Sequence, residues 1–418
     1  MNWCKYMKKK LLILGGKPVG SVDIVNYAKS IGCYVIVADY LDVKDSPAKQ
    51  IADECWNVST ADLDTLAKKA KLAGIDGVFT GAHDFNIDKA QKLCKILGLP
   101  FYATEEQLEE TLNKEFYKKL FKQFKIPVIE EYKIEDDDIQ YPTIIKPVDS
   151  GGAYGVKICS NKEELLSNYN IALEYSNSKK VLIERYVEGE EVTIEYLLQE
   201  NDIQLIGMAD RITAKFQDGV LPLPSNYIWP SKYLKLFEKE YNQKIINALK
   251  SLGLKNSMLF IQAKIENNKI MPYDMGFRLS GTQEYHIFEK MCNVNPLKLM
   301  VNYALSGKMS EKPYIVNADY NKYAANITFL VKPATIGSFI GLDKIEKMNN
   351  IISIAKNKFE GETIPQSALG TLNQVALRIF LYADTKNELI NNIRLIRNTV
   401  QIQDIEGRDI LYEQQNNV

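Results

Sequence analysis

The run Thr143-Ile144-Ile145-Lys146-Pro147-Val148-Asp149-Ser150-Gly151-Gly152-Ala153-Tyr154-Gly155-Val156 joins an apolar strand ending in a lysine to a loop of small residues, after which a second strand begins. Glycines let a backbone turn its N–H groups toward phosphate oxygens. A lysine at the loop entrance adds a point charge against a polyphosphate. Taken alone, the run also fits a glycine-rich hairpin carrying a surface lysine.

Its surroundings narrow the choice. Upstream, a Lys-rich amphipathic helix is expected over 106–124 and carries Lys114. Downstream, Val181-Leu182-Ile183-Glu184-Arg185-Tyr186-Val187-Glu188-Gly189-Glu190-Glu191 runs from an apolar strand through a short connector into a second strand with acidic residues at its start. Such a connector offers backbone groups to an adenine edge while a carboxylate accepts ribose hydroxyl hydrogens; a charged surface hairpin is the plainer reading. Farther on, 259–266 and 269–274 read as a hairpin turning at Asn267-Asn268. That hairpin sets Gln262 and Asp274 on neighbouring strands, where hard oxygen ligands suit Mg²⁺. For Asp274 alone, a turn carboxylate is the alternative. Arg278 follows four residues later, placed for a guanidinium to clamp a transferring phosphoryl group.

The order of these elements is what identifies them. Lysine, lysine with glycine loop, adenine connector with carboxylate, then Gln/Asp/Arg resembles the ATP-grasp superfamily, of the carboxylate–amine ligase type. D-alanine–D-alanine ligases and the large subunit of carbamoyl-phosphate synthetases are the members it most brings together. The resemblance covers the chain and implies an α/β and α+β fold in three parts. These are a parallel-sheet pre-ATP-grasp domain (1–108), an ATP-grasp domain with a mobile lid (109–312) and a smaller C-terminal α+β domain (313–418). It implies ATP with Mg²⁺ (or Mn²⁺) as cofactors. Lys114, Lys146 and the lid residues Gly151, Gly152, Ala153, Tyr154 and Gly155 would contact phosphates. Glu184, Arg185, Tyr186 and Val187 would line the adenine site, and Glu191 would bind ribose. Gln262 and Asp274 would hold the metal, and Arg278 with Lys146 would be catalytic. The implied reaction activates a carboxylate as an acyl phosphate for attack by an amine, giving ADP and phosphate. Two departures stand out: many members have glutamate where Gln262 stands, although carbamoyl-phosphate synthetases place glutamine there, which leaves a bicarbonate-activating enzyme as the runner-up. The usual Glu-x-Asn-x-Arg is here Asp274-Met275-Gly276-Phe277-Arg278, and Gly276 cannot ligate. A non-catalytic ATP-binding module is the third reading, against which Lys146, Asp274 and Arg278 weigh.

The remaining sequence agrees with that layout. Strands at 10–14, 33–38 and 77–80 alternate with helices at 22–31, 63–73 and 87–97, the pattern of a parallel sheet with ligand loops at the strands' carboxyl ends. Gly15-Gly16-Lys17-Pro18-Val19-Gly20 with a later Asp39 superficially matches a dinucleotide fingerprint, but the spacing is not GxGxxG and Pro18 interrupts the turn. Substrate contacts are expected from Arg211, ahead of a Pro- and aromatic-rich loop at 221–229, and from His83, Ser280 and Gly281. A solvated arginine and a capping histidine are the alternatives. His286 reads as structural, in a helix at 285–292, and 386–397 as another helix. Lys plus Arg (52) nearly equals Asp plus Glu (53), which argues against nucleic acid as a partner. Six scattered cysteines without CxxC, and no apolar run long enough for a membrane, point to a reduced, cytoplasmic protein, and the resemblance implies small-molecule carboxylate and amine substrates. A homodimer is compatible with all of this.

Overall fold

The computed structural model describes residues 8–17, 20–150, 154–214 and 222–412. The chain opens with β1 (Lys10–Leu14), β2 (Tyr34–Asp39), β3 (Glu54–Asn57) and β4 (Gly77–Thr80), paired in the order β3-β2-β1-β4. All three pairings are parallel. β1 is a continuous apolar run, Lys10 apart, because helices cover both faces of such a sheet. A small antiparallel sheet follows, built from β5 (Glu131–Tyr132), β6 (Thr143–Pro147), β7 (Lys157–Cys159) and β8 (Val181–Arg185), in the order β5-β8-β6-β7.

The centre of the molecule is an eight-stranded sheet. It takes β9 (Glu190–Gln199), β10 (Asp202–Ala214), β11 (Leu223–Trp229), β12 (Ser257–Glu266) and β13 (Lys269–Gly276) from the middle of the chain. From the last third it takes β14 (Tyr323–Leu330), β16 (Ile351–Lys356) and β17 (Val375–Ala383). The order is β13-β12-β9-β10-β11-β14-β17-β16, so the last third extends the sheet of the middle third. β15 (Ile336–Ile340) and β18 (Gln401–Asp404) pair separately.

Register decides what this sheet can do. Directly opposed residues of an antiparallel pair share a face, and one such row runs Lys264–Glu191–Arg211–Tyr227–Asn326–Phe380 across six strands. The same face carries Gln262, Thr193 and Glu195, whereas Val192, Ile194, Tyr196, Ile261 and Ala263 on the other face build the main core. The period of two thus separates a chemical face from a packing face.

Two sequence expectations fail here. The single helix over 106–124 is two helices, Glu105–Leu112 and Lys114–Gln123. Asn113 breaks it by accepting a hydrogen bond from the Phe116 N–H, which starts a new helix. Lys114 is therefore the first residue of a helix, and its N–H donates to the Val148 carbonyl at 3.0 Å. The loop expected at 221–229 is mostly the fully buried strand β11. Pro222 and Pro224 disguise it. A register shift between Ile212 and Thr213 lets Pro224 lie opposite Thr213 within the pairing.

Candidate active site

Lys146, next to last in β6, has its ammonium buried against the Glu184 carboxylate of β8, and it donates to the Tyr273 carbonyl at 3.3 Å. Lys114 reaches the same place from its helix. Its ammonium donates to the Ser150 carbonyl at 2.9 Å and lies 3.6 Å from the Asp274 carboxylate. Asp274 is directly opposite Gln262, as the hairpin reading requires, and both Asn267 and Asn268 have positive φ in the turn. Residues far apart in sequence, Lys114, Lys146, Gln262 and Asp274, thus meet over one end of the hairpin.

Glu184 is the electrostatic centre of this group. Its side chain is fully buried between Lys146 and Lys118, the latter also holding Glu131 at 3.0 Å and the Ile129 carbonyl at 3.0 Å. Burial pushes the Glu184 carboxyl up, but the two ammonium groups outweigh it and hold the carboxyl below its ordinary range. Its side chain therefore serves the lysines. Arg185 is turned away into a bidentate pair with Glu266 at 2.9 and 2.7 Å. Tyr186 is partly buried, and Val187 packs with Ile129 and Met271.

Glu191 and Arg211, read as belonging to different ligands, are in contact. Glu191 accepts from Arg211 and from the Tyr273 hydroxyl at 3.0 Å, with the Lys264 ammonium 2.6 Å away. The Tyr273 hydroxyl also lies 3.2 Å from Gln262 Oε1. Burial lifts the Tyr273 phenol to about 12, so it stays a hydrogen-bond donor.

Arg278 lies just past β13. Its Nε and Nη2 hold Asp84 at 2.5 and 3.2 Å, and Nη1 donates to the Leu279 carbonyl at 3.0 Å. These three bonds leave two of the guanidinium's five N–H donors for another acceptor. The guanidinium also stacks 5.1 Å over the Phe260 ring. Gly276 explains that ring's position, since a Cβ there would stand 2.5 Å from Phe260 Cε1. The glycine that cannot ligate makes room for the platform under Arg278. Ser280 and Gly281 follow, with Gly281 facing Ala82 beside His83. His83 is exposed at the start of the helix Asp84–Leu97 and its side chain makes no capping bond.

Of the glycine loop, Gly151, Gly152 and Ala153 lie outside the described residues, as do Pro18, Val19 and residues 215–221. Gly155 has φ 71°, and a Cβ there would fall 2.9 Å from Tyr175 and 3.0 Å from Pro147, so glycine is required. The Tyr154 hydroxyl accepts from Asn373 at 2.9 Å. The other glycine loop is closed to a ribose, because Asp39 already accepts from the Gly16 N–H at 2.7 Å and the Ser46 hydroxyl at 2.9 Å, with Lys49 at 2.8 Å.

Several residues around this site were not singled out in the sequence. Lys118, Asp84, Glu195, Glu284, Asn326 and Arg378 are among them. Arg378 is buried and donates to Thr328 at 2.7 Å, while its Nε and the Asn326 Oδ1 have no hydrogen-bond partner among the described residues. For those on the sheet the signal is alternation: Glu191, Thr193 and Glu195 alternate with Val192, Ile194 and Tyr196, and Asn326 and Thr328 flank Ile327.

Magnesium fits the hairpin end. Gln262 and Asp274 supply hard oxygens there, with Asp274 a third exposed. Among the described residues no cluster of three His, Cys, Asp or Glu side chains is arranged as an all-protein metal cage. The described cysteines are free, and no helix among the described residues is long and apolar enough to cross a membrane.

Comparison with known proteins bears on this geometry. Residues 108–305 match the family model described as "Carbamoyl-phosphate synthase L chain, ATP binding domain". The chain is 26% identical over 308 residues to the formate-dependent phosphoribosylglycinamide formyltransferase of Prochlorococcus marinus subsp. pastoris, covering 69% of this chain and 76% of that protein. Other formyltransferases of this name are matched over about half their length. Among solved structures, L-amino acid ligase from Bacillus licheniformis superposes with a TM-score of 0.77 at 16% identity, covering 95% of this chain and 99% of that one. The biotin carboxylase domain of Hydrogenobacter thermophilus 2-oxoglutarate carboxylase, solved with MgADP and bicarbonate, gives 0.76 at 17%, covering 96% and 91%.

Proposed function

Residues 108–305 are an ATP-grasp domain, and from that premise we propose that the protein is an ADP-forming ligase that joins a small carboxylate to an amine through an acyl phosphate. The observation that carries this reading is the meeting of Lys114 and Lys146 at Tyr273-Asp274, opposite Gln262, with Arg278 just beyond the strand. Two ammonium groups and a pair of oxygen ligands suit a magnesium-bearing triphosphate, and a half-committed guanidinium suits the phosphoryl group in transfer.

In this assignment Lys114 and Lys146 bind the phosphates. The backbone from Glu184 through Val187 borders the adenine, and Glu191 receives the ribose once Arg211 shifts its hold. Gln262 and Asp274 would hold Mg²⁺, which supplies charge against the β- and γ-phosphates. The substrate carboxylate attacks the γ-phosphorus while the bond to ADP breaks, and Arg278 offsets the charge that develops. An amine then forms a C–N bond to the carbonyl and phosphate leaves. His83, Ser280, Gly281 and Arg378 surround the place where acid and amine would meet.

Screening acids against amines for phosphate release from ATP tests the proposal. Release that requires both partners is expected; tight Mg-ATP binding without release across the panel would favour a binding module instead. Gln262, together with the match to the carbamoyl-phosphate synthase model, favours bicarbonate as the second candidate acid. ATP turnover driven by bicarbonate alone identifies that case. For the nucleotide site, Lys146→Ala is expected to lose a charge-assisted hydrogen bond of about 2 kcal/mol. Measured by calorimetry, that is a Kd for ATP raised roughly thirtyfold.

A further inference from the structure

We propose that Ser280, Thr282 and Glu284 form a proton relay that removes the proton of the attacking amine, an assignment that rests on the ligase reading above. The Ser280 and Thr282 hydroxyls are 2.6 Å apart, and Thr282 Oγ1 donates to Glu284 Oε1. Ser280 is partly open, two residues beyond Arg278, while Thr282 and Glu284 are buried. Asn326 fixes the middle of the chain by donating to the Thr282 carbonyl at 2.8 Å. One end of the relay therefore borders the phosphoryl clamp, and the other end is a buried carboxyl.

That carboxyl accepts from the Thr282 and Ser280 hydroxyls, and no ion pair balances it among the described residues. Arg278 is occupied by Asp84 and Arg378 by Thr328, so neither is ion-paired with Glu284 among the described residues. The groups facing Glu284 are Glu195 from β9, Arg378 from β17, Arg278 after β13 and Tyr285 from the following helix. Glu195 lines the same cavity, with the Trp229 indole beside its carboxyl. The cavity, walled by Met258, Phe260, Leu279 and Phe288, measures about 10 Å³, room for a single water.

Burial lifts the Glu284 carboxyl to about 7, and burial with the nearby Glu284 lifts that of Glu195 well above the ordinary carboxylate range. Near neutral pH Glu284 therefore gains and loses its proton readily. A base poised at the working pH transfers protons most effectively. The step balances: the amine nitrogen bonds to the acyl carbon and the C–O bond to phosphate breaks. The N–H proton passes to Ser280 Oγ, the Ser280 proton to Thr282 Oγ1, and the Thr282 proton to Glu284.

The test compares two acceptors in the intact protein. Hydroxylamine is largely unprotonated and weakly basic at neutral pH, so it traps an acyl phosphate with little help from a base. Glycine and ammonia need one. With whichever acid yields hydroxamate in the wild type, Glu284→Gln and Thr282→Val should lower kcat for the basic amine roughly a hundredfold and for hydroxylamine far less. Thr282→Ser, which keeps the hydroxyl, should restore the rate. The wild-type amine rate should fall below a pH of about 7, and Glu284→Gln should erase that limb. Equal losses with both acceptors, or an unchanged limb in Glu284→Gln, overturn the relay while the ligase reading stands. A wild type that forms no hydroxamate from any acid overturns the ligase reading, and the relay with it. NMR titration of ¹³C-glutamate-labelled protein needs no substrate: a carboxyl titrating near 7 and missing from Glu284→Gln is expected, and its absence from the wild type overturns the relay.

Discussion

Arg278→Ala is expected to lower kcat by about 10²–10³-fold while the Kd for ATP changes by roughly threefold at most. The asymmetry follows from where the side chain sits. Lys114, Lys146 and the Asp274 carboxylate surround the proposed phosphate site, whereas Arg278 stands beyond the strand with two donors uncommitted. Its charge matters most when the phosphoryl group is in transit, and an interaction made only then appears in kcat. Arg278→Lys should rescue little, because a single ammonium cannot both span Asp84 and stack on Phe260 as the planar fork does. Stopped-flow turnover beside calorimetric ATP binding measures both quantities. A variant with wild-type kcat would remove Arg278 from the mechanism.

The second large effect is on stability. Glu184→Ala leaves Lys118 and Lys146 buried without the carboxylate that joins them, at 1% and 6% side-chain exposure. Breaking a buried pair in this way costs about 3–5 kcal/mol, or roughly 10 °C in Tm for a domain of this size. The pH dependence has a definite sign. The Glu184 carboxyl is held below its reference value of 4.5 in the folded protein. Its stabilising share is therefore present above 4.5 and is lost as the pH falls through the lower native-state value. Thermal melts at neutral pH and at successively lower pH should show the variant's deficit shrinking on acidification. A deficit that stays constant would assign Glu184 a packing role only.

Much of this arrangement was legible because strand and loop chemistry is local. The bounds of β1 and β4, the turn at Asn267-Asn268 and the opposition of Gln262 to Asp274 follow from periodicity and turn residues a few positions apart. What escaped depends on neighbours far away in sequence. Lys118 reads as one more lysine on an amphipathic helix, and only the packing of that helix on β8 buries it against Glu184. Glu195 and Arg378 read as solvent-facing residues of half-exposed strands, because sequence does not say that the second face is also covered. The break at Asn113 is hidden by lysines that continue the helical pattern on both sides, and β11 is hidden by its prolines. The Arg278–Asp84 pair joins residues 194 positions apart, beyond any spacing rule.

The shared sheet also limits how the chain can be dissected. β11 is fully buried between β10 and β14, with Asn226 to Trp229 paired to residues 324–327. A fragment ending at residue 312 would keep β10 but bare the far side of β11. Unpaired backbone on a flat apolar border invites another copy to dock there. Shortened products are thus expected to self-associate, and the nucleotide-binding third depends on the final hundred residues to remain monodisperse.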